Sequence, residues 1–206
     1  MNVFVETNFV IEVALEQQEA SACITLLELA ESGTIRLFIP AYSLIEPHET
    51  LGRRHLERAA LRSRVTSELA QLARSTPLAD RVAASQEIVN LLADSAEYET
   101  RRIEEVKARL CTAAEVLPVT LEVVRNAATY QNTLDLSPQD AVVYASIRAY
   151  LEIDHAATSC FISRNPRDFA DPAVRADLAT VKCRYFASFE AASQFIRHNL
   201  PHEPVA

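Results

Sequence analysis

Four stretches of the chain carry side chains suited to handling a cation or a phosphate. In Ser137-Pro138-Gln139-Asp140 a helix start is written out. The Ser137 hydroxyl can cap an orphaned backbone N–H, and Pro138 suits the first helical position, where its missing N–H costs nothing. Asp140 then falls in the first turn, near the positive end of the helix dipole. Taken alone it reads as half of a capping interaction, since first-turn acids are common in helices of any function, with a ligand role as the alternative. Glu6 follows Asn2-Val3-Phe4-Val5, a β-branched and aromatic run that predicts a buried strand. Its carboxylate is placed at the strand's carboxyl end, where open α/β sheets bind ligands; the alternative is a strand-end glutamate without a task. Glu46 lies shortly after a second predicted strand at residues 35–39, and Asp168 in a polar loop, Ser163-Arg164-Asn165-Pro166-Arg167-Asp168, directly after a third at 158–162. Carboxylates gathered at one sheet edge repel each other unless a cation binds them. An all-oxygen donor set suits Mg²⁺ or Mn²⁺ rather than zinc.

Other chemistries are poorly served. Only two glycines occur, Gly33 and Gly52, which argues against Gly-rich phosphate loops and dinucleotide fingerprints. There is no Gly-x-Ser-x-Gly elbow and no Cys-x-x-Cys pair for zinc. The five histidines form no metal-binding helix motif; His198 and His202 have helical spacing, but Pro201 intervenes. Cys23, Cys111, Cys160 and Cys183 are scattered, a usage expected of a reduced cytoplasmic protein. No basic-then-apolar leader pattern opens the sequence and no apolar run approaches membrane-spanning length. The formal net charge of −8 disfavours non-specific nucleic-acid binding over the whole surface. Local basic runs would then have to hold phosphate. Arg53, Arg54, Arg58, Arg62 and Arg64 form such a run, readable either as a solvated helix face or as a phosphate-contacting arm.

The elements that must position these groups follow from periodicity. With 206 residues, 49% of them apolar, one sizeable domain has enough apolar surface for a core. Strands at 2–6, 35–39, about 116–119, 158–162 and 183–186 alternate with helices. That pattern predicts a mainly parallel sheet with right-handed crossovers. Residues 9–32 are expected to be helical with a break near Gln17-Gln18. Thr7 or Asn8 is expected to cap that helix. A helix from Pro40 is expected to kink or end at Pro47. Residues 51–115 read as two or three antiparallel helices with breaks at Ser75-Thr76-Pro77 and Asp94-Ser95. Their predicted apolar stripes are Leu56, Ala59, Val65, Leu69 and Leu72; Val82, Ile88, Leu91 and Leu92; and Ile103, Val106 and Leu110. Helices are expected at 120–134, from Pro138 to about Leu151, and at 189–198, with a loose tail from Pro201.

In order and spacing these pieces resemble the PIN-domain family of metal-dependent ribonucleases, which includes the VapC-type toxins. Val5-Glu6-Thr7-Asn8-Phe9-Val10 resembles the family's Asp-Thr-Asn opening. Glu46 stands where the family has its helix-borne glutamate. Leu136-Ser137-Pro138-Gln139-Asp140-Ala141 resembles the helix-start aspartate motif, and Phe161 to Phe169 the Thr-Arg-Asp/Asn…Asp-Phe loop. The likeness covers about residues 1–50 and 116–198. It implies a three-layer PIN-like α/β domain spanning 1–206, with a helical insertion or hairpin at about 51–115. It also implies catalytic acids Glu6, Glu46, Asp140 and Asp168, which with Asn165 bind Mg²⁺ or Mn²⁺. Thr7, Asn8 and Ser163 would orient ligands or phosphate, and Arg53 and Arg54 would contact substrate. The implied activity is metal-dependent endonucleolytic hydrolysis of single-stranded or structured RNA, with an antitoxin protein and a homodimer among the partners such a toxin has, and no membrane. Two departures point to an alternative, a catalytically impaired scaffold that binds RNA or protein. Glu6 replaces the usual aspartate, moving its carboxylate by about 1.5 Å, and Asn165 stands at the fourth acid position.

Overall fold

A computed structural model describes residues 1–154 and 158–200. His155, His202 and the tail from Pro201 lie outside the described residues. The chain runs β1 (Asn2–Val5), α1 (Thr7–Ala14), α2 (Ala20–Glu31), β2 (Arg36–Pro40) and α3 (Ala41–Leu72). A 3₁₀ turn (Thr76–Leu78) then leads to α4 (Ala79–Ala84) and α5 (Gln86–Ala113). The remainder is β3 (Ala114–Leu117), α6 (Leu121–Thr133), α7 (Pro138–Leu151), β4 (Ser159–Ile162), α8 (Pro166–Phe169), α9 (Pro172–Thr180), β5 (Cys183–Phe186) and α10 (Phe189–Asn199). The five strands form one sheet in the order β3-β2-β1-β4-β5, and every pairing is parallel. It is an α/β fold with helices on both faces.

Alternation along the strands builds the two faces. Val3, Val5, Leu37, Ile39, Cys160 and Ile162 pack with α1, α2, α10 and the inner parts of α3 and α5. Phe4, Phe38, Phe161 and Tyr185 pack with α6, α7 and α9. Phe4 stacks on Phe38 with ring centroids 4.9 Å apart, a cross-strand pair that helps fix the register of β1 against β2. Chain order reverses direction at β1, which lies between β2 and β4. The crevice beyond the carboxyl ends of β1 and β4 is therefore the topological switch point, where α/β sheets bind ligands.

Several expectations are corrected. Pro47 neither ends nor divides α3, which continues from Ala41 to Leu72. Its missing N–H is the one that would have bonded the Ser43 carbonyl, and burial of Leu44, Pro47 and Leu51 holds the helix through this defect. Asp94-Ser95 is no break, since α5 is continuous from Gln86 to Ala113. Arg58 of α3 reaches across to Ser95 and Glu99 on this continuous helix. The break falls instead at Ser85, the cap between α4 and α5. Of the three apolar stripes only Ile103, Val106 and Leu110 are buried; Leu56 is 75% exposed, and Leu72, Ile88 and Leu91 are exposed as well. Those outer turns project past the sheet, and among the described residues no layer covers them. Helix α9 has no counterpart in the sequence-based outline. Among the described residues, no helix is long and apolar enough to cross a membrane.

Candidate active site

Helix α1 begins at Thr7, and Glu6 itself is the N-cap. Neither Thr7 nor Asn8 takes that role, because the chain leaves β1 extended at Glu6 and turns helical in one step. The Glu6 Oε2 atom accepts the Asn8 backbone N–H at 2.9 Å. The side chain is buried, at 5% exposure, and its other oxygen, Oε1, has no hydrogen-bond partner. Burial pushes the Glu6 carboxyl up to about 7, with the Glu46 carboxylate adding to the rise; the Asn8 backbone and the hydroxyl of Ser163 partly oppose it. An acid with one satisfied and one orphaned oxygen is costly to ionise until something positive meets it.

The other acids arrive from separate elements. Glu46 sits in the second turn of α3, immediately beyond β2. The Thr7 hydroxyl donates to Glu46 Oε2, which joins the first turn of α1 to α3. Burial, and then the charges of Asp140 and Glu49, raise the Glu46 carboxyl, against the Thr7 bond. Asp140 lies in the first turn of α7, behind the Ser137 cap whose Oγ accepts the Asp140 N–H at 3.2 Å. The same hydroxyl donates to Asp140 Oδ2. Because α7 runs antiparallel to the strand it precedes, its N-terminus falls at the carboxyl edge of the sheet. Burial first, and then the neighbouring Asp168, raise the Asp140 carboxyl; bonds from Ser137 and Asn165 pull the other way.

The loop after β4 completes the edge. Ser163 is fully buried. Its N–H donates to the Phe186 carbonyl at 3.1 Å, its carbonyl accepts the Tyr185 hydroxyl at 2.9 Å, and its Oγ accepts the Asn165 N–H at 2.9 Å. Asn165 uses Nδ2 as a donor, to Asp140 Oδ1 at 3.2 Å and to Asp168 Oδ2 at 2.7 Å. It therefore bridges two carboxylates. Glu6, Glu46, Asp140 and Asp168 thus influence one another in series along one edge, although they span more than 160 positions of sequence. Among the described residues no lysine or arginine forms an ion pair with any of the four. Nor, among the described residues, do three or more His, Cys, Asp or Glu side chains stand together as a ready metal-holding group.

Two supports have no signal in local patterning. Arg164, between Ser163 and Asn165, pairs with Glu12 on α1, and Glu12 Oε2 also accepts the Glu19 N–H at 2.9 Å. At 3% exposure, Glu12 is a buried charge that needs these partners. The pair ties the β4 loop to the helix headed by Glu6. Arg53 and Arg54 are exposed on α3, about 10–12 Å along the helix axis from Glu46. They belong to the approach to the acids rather than to their immediate surroundings.

A family model described as PIN domain matches residues 3–169. The matched span includes Glu6, Glu46, Asp140, Asn165 and Asp168, runs across residues 51–115, and ends before α9. No curated protein and no solved structure matches the chain.

Proposed function

The chain belongs to the PIN-domain family, and from that premise we propose that it is a metal-dependent endoribonuclease acting at the edge formed by Glu6, Glu46, Asp140 and Asp168. The observation that carries this reading is a set of four mutually repelling carboxylates that, among the described residues, have no cationic side chain paired to them, one presenting a buried, unpartnered oxygen. Such a set is satisfied by a hard divalent cation.

Mg²⁺ or Mn²⁺ held by Glu6, Glu46, Asp140 and Asp168 would supply positive charge to a phosphodiester oxygen and acidify a water at neutral pH. The protein's own part is positioning. Ser137 holds Asp140, Thr7 holds Glu46, and Asn165 keeps Asp140 and Asp168 side by side. The α7 N-terminus adds a partial positive charge suited to an anionic substrate. Glu6 must lose its proton to serve as a ligand, so metal uptake releases a proton below about pH 7. Arg53 and Arg54 stand on the approach and suit RNA phosphates. As the toxin of a toxin–antitoxin pair, the protein would be blocked by a partner that presents an arginine to these unpaired acids.

The test is cleavage of a labelled single-stranded RNA with Mg²⁺ or Mn²⁺. Activity should vanish in EDTA and fall more than about a hundredfold in Asp140→Asn, since even residues behind the ligands cost 10–100-fold. Cleavage that survives both treatments refutes the proposal. One observation favours a second reading, a scaffold that binds RNA or protein without cutting: among the described residues the carboxylates as they stand are not drawn into a three-ligand group. A calorimetric Mn²⁺ titration separates the two, because a scaffold without catalysis takes up no metal at this edge.

A further inference from the structure

Beyond the acidic edge, the sheet of the described residues ends in β5, which pairs with β4. Along it lies a shallow depression of about 490 Å³ lined by Arg175, Ala179, Lys182, Cys183, Arg184 and Tyr185. It contains three cations and no carboxylate, in a chain whose formal charge is −8. Among the described residues none of the three cations forms an ion pair. Asp177 on the same helix is engaged elsewhere, accepting from Tyr144 at 2.6 Å and from Arg148 at 2.7 Å. Each arginine lies against an aromatic ring instead, one on either side of the edge strand: Arg175 over Tyr185 at 5.7 Å on the α9 face, and Arg184 over Phe186 at 4.9 Å and Phe195 at 4.7 Å on the α10 face. Stacking orients a guanidinium without neutralising it and leaves its N–H edge free to donate. Lys182 forms the turn into β5 with φ +55°, a conformation that suits Gly or Asn better than lysine.

The depression is one side chain from the candidate active site. Tyr185 lines it, and the Tyr185 hydroxyl donates to the Ser163 carbonyl. The Glu6 carboxylate and the Arg175 guanidinium both act electrostatically on that tyrosine, in opposite senses. All three cations lie beyond residue 169, where the family match stops.

We propose that Arg175, Lys182 and Arg184 form a phosphate-binding subsite that holds the backbone of a single-stranded RNA flanking the bond at the acidic edge. The inference rests on the ribonuclease reading and adds to it a direction: the strand leaves the acids towards the edge of β5, where Arg175, Lys182 and Arg184 are exposed. The cations contact phosphates, so the subsite is indifferent to base sequence.

The experiment uses the full chain carrying Asp140→Asn to prevent cleavage, and a fluorescent single-stranded RNA of about 12 nucleotides. Its affinity is measured across a salt series, with and without Arg175→Ala/Arg184→Ala. The pair of substitutions should weaken binding about tenfold at low salt. It should also reduce the slope of log affinity against log salt by about 1.4, or 0.7 for each lost phosphate contact. Lys182→Gly should lower the slope by about 0.7, and Arg175→Lys/Arg184→Lys should retain most of it. On the active protein, Arg175→Ala/Arg184→Ala should raise KM and leave kcat within about twofold. Thermal unfolding of each variant confirms that it folds. RNA binding with an unchanged slope in the double variant overturns the subsite and leaves the ribonuclease reading standing. Absence of RNA binding by the Asp140→Asn chain alone overturns both. Loss of a dimer with unchanged RNA affinity overturns the proposal in favour of a contact between copies.

Discussion

Glu6→Gln isolates a buried acid that is costly to ionise. The Glu6 carboxyl ionises at about 7 in the fold against an ordinary value of 4.5. At about 1.4 kcal/mol per tenfold change, that difference corresponds to about 3 kcal/mol. The sign follows from proton linkage. Between pH 4.5 and 7 the folded state holds a proton that the unfolded chain has released, so stability falls as pH rises through this window. The contribution is fully present below the lower value and lost above the upper one. Glutamine carries no charge, and its oxygen can still accept the Asn8 N–H. Its amide group then occupies the position of the orphaned Oε1, at a cost of about 1–3 kcal/mol that does not depend on pH. The diagnostic quantity is therefore the difference between the two proteins as pH changes. Unfolding followed in EDTA from about pH 4 to pH 8 should show Glu6→Gln gaining about 3 kcal/mol on the parent chain, or roughly 6–12 °C in Tm for a domain of this size. Added Mn²⁺ should restore the parent at high pH and leave the variant where it was. Parallel profiles for the two proteins across the range would refute the reasoning, because Glu6 would then titrate as an ordinary carboxylate.

Ser137→Ala removes both the α7 cap and the hydroxyl that donates to Asp140. It should cost about 1 kcal/mol in urea unfolding and reduce RNA cleavage about 10–100-fold, a loss larger than the stability change alone explains. Glu99→Ala strips the carboxylate that pairs with His55 at 3.1 Å and Arg58 at 2.8 Å between α5 and α3. Because both partners retain some solvent, the cost should be about 1–3 kcal/mol, read as a lower urea midpoint.

What the sequence determined by itself is local in its causes. Alternating strand and helix periods implied a parallel α/β sheet. The Ser137-Pro138 pair marked the start of α7, and the positions of Glu6, Glu46 and Asp168 after strands implied a common edge. Each of these follows from backbone preferences acting within a few residues. The failures are of the opposite kind. Pro47 should have interrupted α3, and burial of its neighbours against the sheet holds the helix through it. The outer leucines of α3 and α5 have helical spacing, yet among the described residues no layer reaches them. A helix-capping role for Glu6, the burial that raises its carboxyl, and the use of Asn165 as a donor between Asp140 and Asp168 all depend on residues more than a hundred positions away in sequence or on the direction of a side chain. The same holds for Arg164 on Glu12, and for the acid-free row of cations beside β5. Periodicity reports which face of an element is apolar. It cannot report what stands opposite, and burial and opposing charge are what distinguish an acid that caps a helix from one that can receive a metal.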